Sequence, residues 1–223
     1  MDDLDFRGEV MDKTLREIAA VNKWLGGDNI TLQQVKEVIN STESKNTFSI
    51  ADIGCGSGDI LKLLANYAKR KKLLLELKGV DANAYIIEYA KRNTSAYPQI
   101  NYQQANVFSE EFKKQKFDII SCTLFCHHFD DDTLVRLLTQ LKQQSNLAVV
   151  VNDLHRHPLA YYFIVAIASV FSKSYMFKYD SKLSVLRAFK KNELEKLLIK
   201  AGYSRFSIEW KWAFRYKVIA WSH

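Results

Sequence analysis

Hydrophobic positions recur along this chain in two periods, and the switches between them outline its elements. Across residues 8–39, Val10, Leu15, Ile18, Ala19 and the Trp24-Leu25 pair fall on one face at helical spacing. Gly26-Gly27-Asp28 interrupts that face, and Thr31 is placed to cap a second helix running through Val38. A polar connector covers 40–46. From 47 onward, short apolar runs alternate with amphipathic ones. They predict strands near 48–53, 75–81, 100–104, 117–123 and 147–152, and helices near 59–70, 84–93 and 131–144. Alternation at this spacing implies a parallel sheet covered by helices on both faces.

After the fifth strand the pattern changes. Residues 157–171 read as an inserted apolar helix, whose run of about 13 apolar residues is too short to span a bilayer. Residues 190–201 form an amphipathic helix stopped by Gly202. Runs at 204–209 and 212–221 close the chain as two strands joined by a short turn, an antiparallel hairpin at the sheet edge.

The junction of the first strand and first helix of this alternation reads Ala51-Asp52-Ile53-Gly54-Cys55-Gly56-Ser57-Gly58. Glycines there allow a sharp turn and leave space for a ligand against the main chain, while the following helix offers free N–H groups to an anion. The spacing D-x-G-x-G-x-G differs from the dinucleotide fingerprint G-x-G-x-x-G, because position 59 is Asp59. This disfavours a nicotinamide dehydrogenase. The second strand ends in Asp81, where a carboxylate can accept two hydrogen bonds from a ribose diol; the bland alternative is a surface-turn aspartate.

Here the chain resembles the class I S-adenosylmethionine-dependent methyltransferases, whose first motif is an acidic residue followed by G-x-G-x-G. The resemblance implies an α/β, Rossmann-like fold: a seven-stranded, mostly parallel sheet with an antiparallel C-terminal hairpin edge and helices on both faces. It implies a helical N-terminal cap or lid over 1–46 and a methyltransferase domain over 47–223. An insert at about 157–180 would contribute to the acceptor site. S-adenosyl-L-methionine is the implied cofactor, held by Asp52, Gly54, Cys55, Gly56, Gly58, Asp81, Ala82, Asn106, Val107 and Thr123. In the family an acid often stands where this chain has Asn106, beside the adenine amino group; the Asn carbonyl can still accept that bond.

Ligands of open parallel sheets sit beyond the carboxyl ends of the strands, so those ends carry the candidate chemistry. The fourth strand runs into Phe125-Cys126-His127-His128-Phe129, resembling the small-molecule branch of the family and not the N-P-P-Y type found in many base methyltransferases. A phenolic acceptor must lose a proton, which histidine takes near neutral pH. His127 and His128 are candidates for that role; the alternative is that one of them only supports the helix beginning near Asp130. The fifth strand ends in Asn152-Asp153-Leu154-His155-Arg156-His157. His155 competes as the base, and Arg156 could hold an acceptor oxyanion. Asn152, Asp153, Tyr161, Tyr162 and Arg187 are the expected acceptor-binding residues, and further aromatics at Phe163, Phe171, Tyr175 and Phe177 could line a pocket. No zinc-type spacing occurs, so no metal is expected.

Blocks such as 21–27, 125–131, 152–156 and 183–189 are similar to a bacterial subgroup that resembles ubiquinone/menaquinone-type methylases and is associated with phenolic and polyketide products. This implies a small hydroxylated aromatic or quinol-like acceptor, methylated on oxygen or carbon.

Composition narrows the alternatives. With 223 residues, 48% of them hydrophobic, the chain is expected to form one domain with a substantial core. Cys55, Cys122 and Cys126 are odd in number, which argues for reduced thiols and a cytoplasmic protein, as does the start Met1-Asp2-Asp3-Leu4-Asp5, which lacks a signal pattern. The net charge of +7 and aromatics such as Trp210, Trp212, Phe214 and Tyr216 keep an RNA or protein methyltransferase open as an alternative. Scattered basic residues in place of a continuous stripe make nucleic acid a poor partner. The run Lys69-Arg70-Lys71-Lys72 reads as cations at a helix C-terminus or as a docking patch. A catalytically silent cofactor-binding protein is the rival from another class. Arg156, Lys173 and Lys178 flank the apolar insert, which suggests a movable cover with peripheral membrane contact.

Overall fold

A seven-stranded sheet in the order β3-β2-β1-β4-β5-β7-β6 organises the computed structural model of the chain, which describes residues 7–42, 46–172 and 174–223, apart from the Phe171 side chain. In chain order, α1 (Glu9–Trp24) and α2 (Gly27–Asn40) precede β1 (Thr47–Ile53), α3 (Asp59–Lys71), β2 (Leu74–Asp81), α4 (Ala84–Asn93) and β3 (Ile100–Gln104). There follow α5 (Glu110–Lys113), β4 (Phe117–Thr123), a 3₁₀ turn at Cys126–His128, α6 (Asp131–Gln144) and β5 (Ser145–Leu154). The chain ends with α7 (Pro158–Phe171), α8 (Tyr175–Arg187), α9 (Lys191–Lys200), β6 (Arg205–Lys211) and β7 (Arg215–Trp221).

The expected fold is present. β1 through β5 pair in parallel, and β7 runs antiparallel to both β5 and β6. β1 and β4 are buried along nearly their whole length because both faces of the sheet are covered. One cluster packs Leu134, Leu137 and Leu141 of α6 and Leu194 and Leu197 of α9 onto one face. The opposite cluster sets Val35 and Val38 of α2 and Leu61 and Leu64 of α3 on the other. The chain reverses from α9 into β6 through Gly202, whose φ of 84° lies in the left-handed region.

Two expectations for local structure are corrected. Thr31 does not cap a helix: α2 begins at Gly27, and the Thr31 hydroxyl, buried inside it, pairs with Thr123 at 2.8 Å. The insert is longer than 157–180, because a second helix, α8, continues to Arg187 and packs against α7. The opening residues 1–5, residues 43–45 of the connector, Lys173 and the Phe171 ring lie outside the described residues.

Candidate active site

The glycine loop joins β1 to α3 over the carboxyl ends of the strands. The amides of Gly54 and Cys55 both donate to the Val80 carbonyl, at 2.8 and 3.1 Å, which ties the loop to β2. Gly54, Gly56 and Gly58 all have positive φ. Their surroundings differ. A Cβ on Gly58 would run into the Tyr102 hydroxyl, and one on Gly54 into the Phe125 ring, so both positions are tightly packed. A Cβ on Gly56 would meet nothing within 4 Å, so this part of the loop faces open space.

That space belongs to a cavity of about 230 Å³. Its wall joins Gly54, Cys55, Gly56 and Ser57 to Thr123, His127 and His128 at the end of β4, and to the inner sides of α1, α7 and α8. Two buried carboxyls stand on it. Burial pushes Asp52 up to about 7, opposed by the Ser121 hydroxyl that donates to it at 2.7 Å. Burial also pushes Asp28 up to about 6, reinforced by Asp59 and opposed by Arg215. A cationic ligand group would relieve both. At the tip of β2, burial raises the Asp81 carboxyl, while the amides of Asn83, Gly56 and Ala82 donate to it and pull the other way. An open glycine cradle, acids that favour a cation and a carboxylate at the second strand tip fit the ammonium, sulfonium and ribose of S-adenosylmethionine.

A methyltransferase-domain family model matches residues 50–146, from β1 to the start of β5. Over these residues the chain carries a methyltransferase domain, and it is similar to S-adenosylmethionine-dependent methyltransferases. It is 28% identical over 97 residues to a ubiquinone/menaquinone biosynthesis C-methyltransferase of Campylobacter jejuni, covering 43% of this chain and 40% of that protein. The chain therefore spans about two fifths of the length of that relative. It is 24% identical over 182 residues to a carboxy-S-adenosyl-L-methionine synthase of the same species, covering 74% of this chain and 73% of that one. Among solved structures, the magnesium protoporphyrin IX methyltransferase of Synechocystis with bound S-adenosylhomocysteine superposes with a TM-score of 0.59 at 13% identity, covering 97% of this chain and 89% of that one. This last likeness concerns the fold alone. S-adenosyl-L-methionine is the cofactor of the domain.

On the cavity wall the two adjacent histidines differ. His127 is 4% exposed, and its Nδ1 lies 2.7 Å from Oδ1 of Asp153, which is wholly buried at the end of β5. The His127 amide donates to the other carboxylate oxygen at 3.2 Å. Burial would raise the Asp153 pKa, but the His127 ring and the amides of Leu154 and His127 outweigh it and hold the group below its usual range. An acceptor-only carboxylate makes Nδ1 the N–H donor, so in the neutral form of the ring Nε2 is the nitrogen that carries the lone pair. Nε2 is buried and has no hydrogen-bond partner among the described residues. His128 is exposed on the same wall, its ring 4.3 Å from that of His127.

Several expected site residues stand elsewhere. His155 is off the cavity wall, near the rings of His157 and Tyr216, and burial lowers its pKa. Arg156 ties β5 to α9 by donating to the Ala188 carbonyl and to Glu193, so it does not reach the cavity. Asn152 is buried in a structural network: its Nδ2 donates to the Gly27 carbonyl at 2.9 Å and to Thr31 at 3.0 Å. Asp153 meets His127, not the cavity. Tyr161 and Tyr162 lie off the wall, Tyr162 being mostly exposed, whereas Arg187 is on it. Asp81, Ala82, Asn106 and Val107 are not on the wall of this cavity. The Asn106 carbonyl already accepts from the Phe108 amide at 2.9 Å, so an adenine amino group would have to share it.

The wall also holds residues that sequence reasoning passed over: Asn22, Asp28, Phe214 and Arg215. Arg215 is buried and donates to Asn22, while Asp28 and Asp153 sustain its charge against burial, which lowers its pKa to about 10. The available signal was a pair of cations, Arg215 and Lys217, at the start of a strand otherwise apolar to Trp221.

Proposed function

We propose that this chain transfers a methyl group from S-adenosylmethionine to a small hydroxylated aromatic or quinol-like acceptor, on oxygen or carbon, in secondary metabolism or in quinone or phenolic-lipid biosynthesis. The observation that carries the reading is the unpartnered Nε2 of His127, backed by Asp153 and set on the wall shared with the glycine loop. The cofactor supplies an electrophilic methyl on a sulfonium. Gly54, Cys55 and Gly56 would hold its amino-acid end and Asp81 its ribose.

Phe163, Ile164, Phe177 and Leu183 make the acceptor side of the cavity apolar, which suits an aromatic ring and excludes water. Nε2 of His127 takes the acceptor hydroxyl proton, and Asp153 stabilises the imidazolium that results. The electron pair left on the acceptor, shared between its oxygen and the ring carbons, would be the nucleophile for the methyl group that the bound cofactor supplies. One base thus serves O- and C-methylation alike. Asp153 acts through His127 and is a positioning residue. The printed name of the Campylobacter C-methyltransferase supports the quinol-like class.

Turnover with isotopically labelled methyl donor, run against phenols, quinols and RNA with mass-spectrometric location of the label, tests the proposal. The expected result is label on a phenol or quinol. The His127→Gln variant should lose roughly 10²–10⁴ in turnover while keeping its affinity for the cofactor. Label on RNA alone, or no labelled acceptor at all, overturns the reading. So does a chemically altered cofactor with unaltered acceptors, the outcome that the name of the carboxy-S-adenosylmethionine synthase relative suggests.

A further inference from the structure

The helical hairpin of α7 and α8 has two unlike faces. Its inner side, with Ala160, Phe163, Ile164, Phe177 and Leu183, is the apolar wall of the cavity. Its outer side is also apolar, although it faces solvent. Leu159, Tyr162 and Val170 stand out from α7 at positions spaced along one helical face, with Val170 82% exposed. Tyr175, Tyr179 and Leu186 stand out from α8, and the first two rings stack with centroids 6.3 Å apart. Trp212 continues the patch: it is 59% exposed and packs edge-on against Phe163 at 5.5 Å. Phe163 thus links the outer patch to the cavity wall.

Charge narrows the occupant. α7 contains no Asp, Glu, Lys or Arg. α8 carries Lys178, Lys182 and Arg187 against the single acid Asp180, and both Asp180 and Arg187 belong to the cavity wall. A second copy of the chain docking face to face would bring these cations against one another. An anionic lipid surface would instead meet apolar side chains and amphipathic tyrosine and tryptophan rings at headgroup depth, with lysines beside them. Among the described residues no helix is long and apolar enough to cross a membrane, so such contact would be peripheral.

We propose that the outer face of the α7–α8 hairpin, with Trp212, is a docking surface for an anionic phospholipid bilayer. The corollary, resting on the acceptor class proposed above, is that a lipophilic acceptor enters the cavity from the bilayer past Phe163. Docking itself needs neither acceptor nor turnover, so its test stands apart from that reading.

The full chain is sedimented with vesicles of phosphatidylcholine alone and of phosphatidylcholine mixed with phosphatidylglycerol, at low and high salt. Binding to the mixed vesicles, weakened by salt, is expected. The Val170→Ser/Tyr179→Ser double variant, altered only at exposed positions, should bind roughly tenfold or more weakly while calorimetry shows unchanged affinity for S-adenosylmethionine. The Lys182→Glu variant should lose the preference for phosphatidylglycerol. Absence of sedimentation with either vesicle at low salt overturns the proposal, as does equal binding to both. Self-association abolished by the double variant, without vesicle binding, would also overturn it and assign the face to a second copy.

Discussion

Asp52 shows how one residue can be legible by type and illegible by state. The D-x-G-x-G-x-G spacing marks it as part of the cofactor loop, but only the fold buries it, together with Asp28, and raises both carboxyls to about 7 and about 6. Each binds its proton more tightly in the folded chain than in the unfolded one. Their contribution is therefore most favourable below the ordinary carboxylate range and is lost as pH rises from about 4 to about 7. The urea midpoint of Asp52→Asn relative to the native chain should accordingly rise across that interval; a flat difference would refute the assignment. Cofactor binding has the opposite dependence, because the ammonium favours ionised acids. Affinity should increase from about pH 5 to about pH 8 with release of protons near pH 6, read by calorimetry in buffers of different ionisation enthalpy. Asp81 was placed by sequence, and its tie to the Asn83 amide leaves carboxylate capacity for a ribose. Asp81→Ala should cost about 1.5–3 kcal/mol of cofactor affinity, roughly ten- to a hundredfold; unchanged calorimetry in the folded variant would remove the ribose role.

Among the elements, those built on strong periodicity are where the sequence places them, and those held by tertiary contact are not. α3, α4 and α6 follow their apolar stripes. α8 escaped notice because its apolar residues do not form one stripe: Phe177 and Val185 are buried while Tyr175, Tyr179 and Leu186 face outward. α2 was recognised but not its cross-link. Gln34, wholly buried, donates through Nε2 to the carbonyls of Val151 on β5 and Val218 on β7, at 2.8 and 2.7 Å. That contact fastens the helical cap across the junction of parallel and antiparallel strands. Gln34→Leu should therefore lower unfolding stability by about 1–3 kcal/mol, measured by urea denaturation, while the far-ultraviolet circular dichroism of the native state stays the same.

At the scale of the whole molecule, one cavity joins the cap, the glycine loop, the ends of β4 and β5 and the α7–α8 hairpin, so a ligand there should stabilise all of them together. S-adenosylhomocysteine at a hundred times its dissociation constant should add about 2.7 kcal/mol to unfolding, seen as a shift of the denaturation midpoint. Hydrogen exchange should slow across residues 54–58 and 123–128 as well as 160–187; slowing confined to the glycine loop would mean that the hairpin is not coupled to the site. The sequence alone determined the sheet-forming alternation, the glycine loop after the first strand, the acid at the second strand tip and the clustering of histidines at two strand ends. These are local properties: period, turn chemistry and residue type at a strand terminus. Tertiary structure decided which histidines line the cavity, His127 and His128, and which of them a carboxylate backs. His127 and Asp153 are 26 positions apart in sequence and meet because β4 and β5 are parallel neighbours that end side by side. His155 lies only two residues beyond Asp153, but it leaves the strand paired to Phe189 and Phe214 and points away. Arg215 reaches the site from the far end of the chain only because β7 inserts antiparallel beside β5. Pairing of strands distant in sequence, which no local pattern encodes, is what turns a list of polar residues into one buried imidazole with a fixed carboxylate partner.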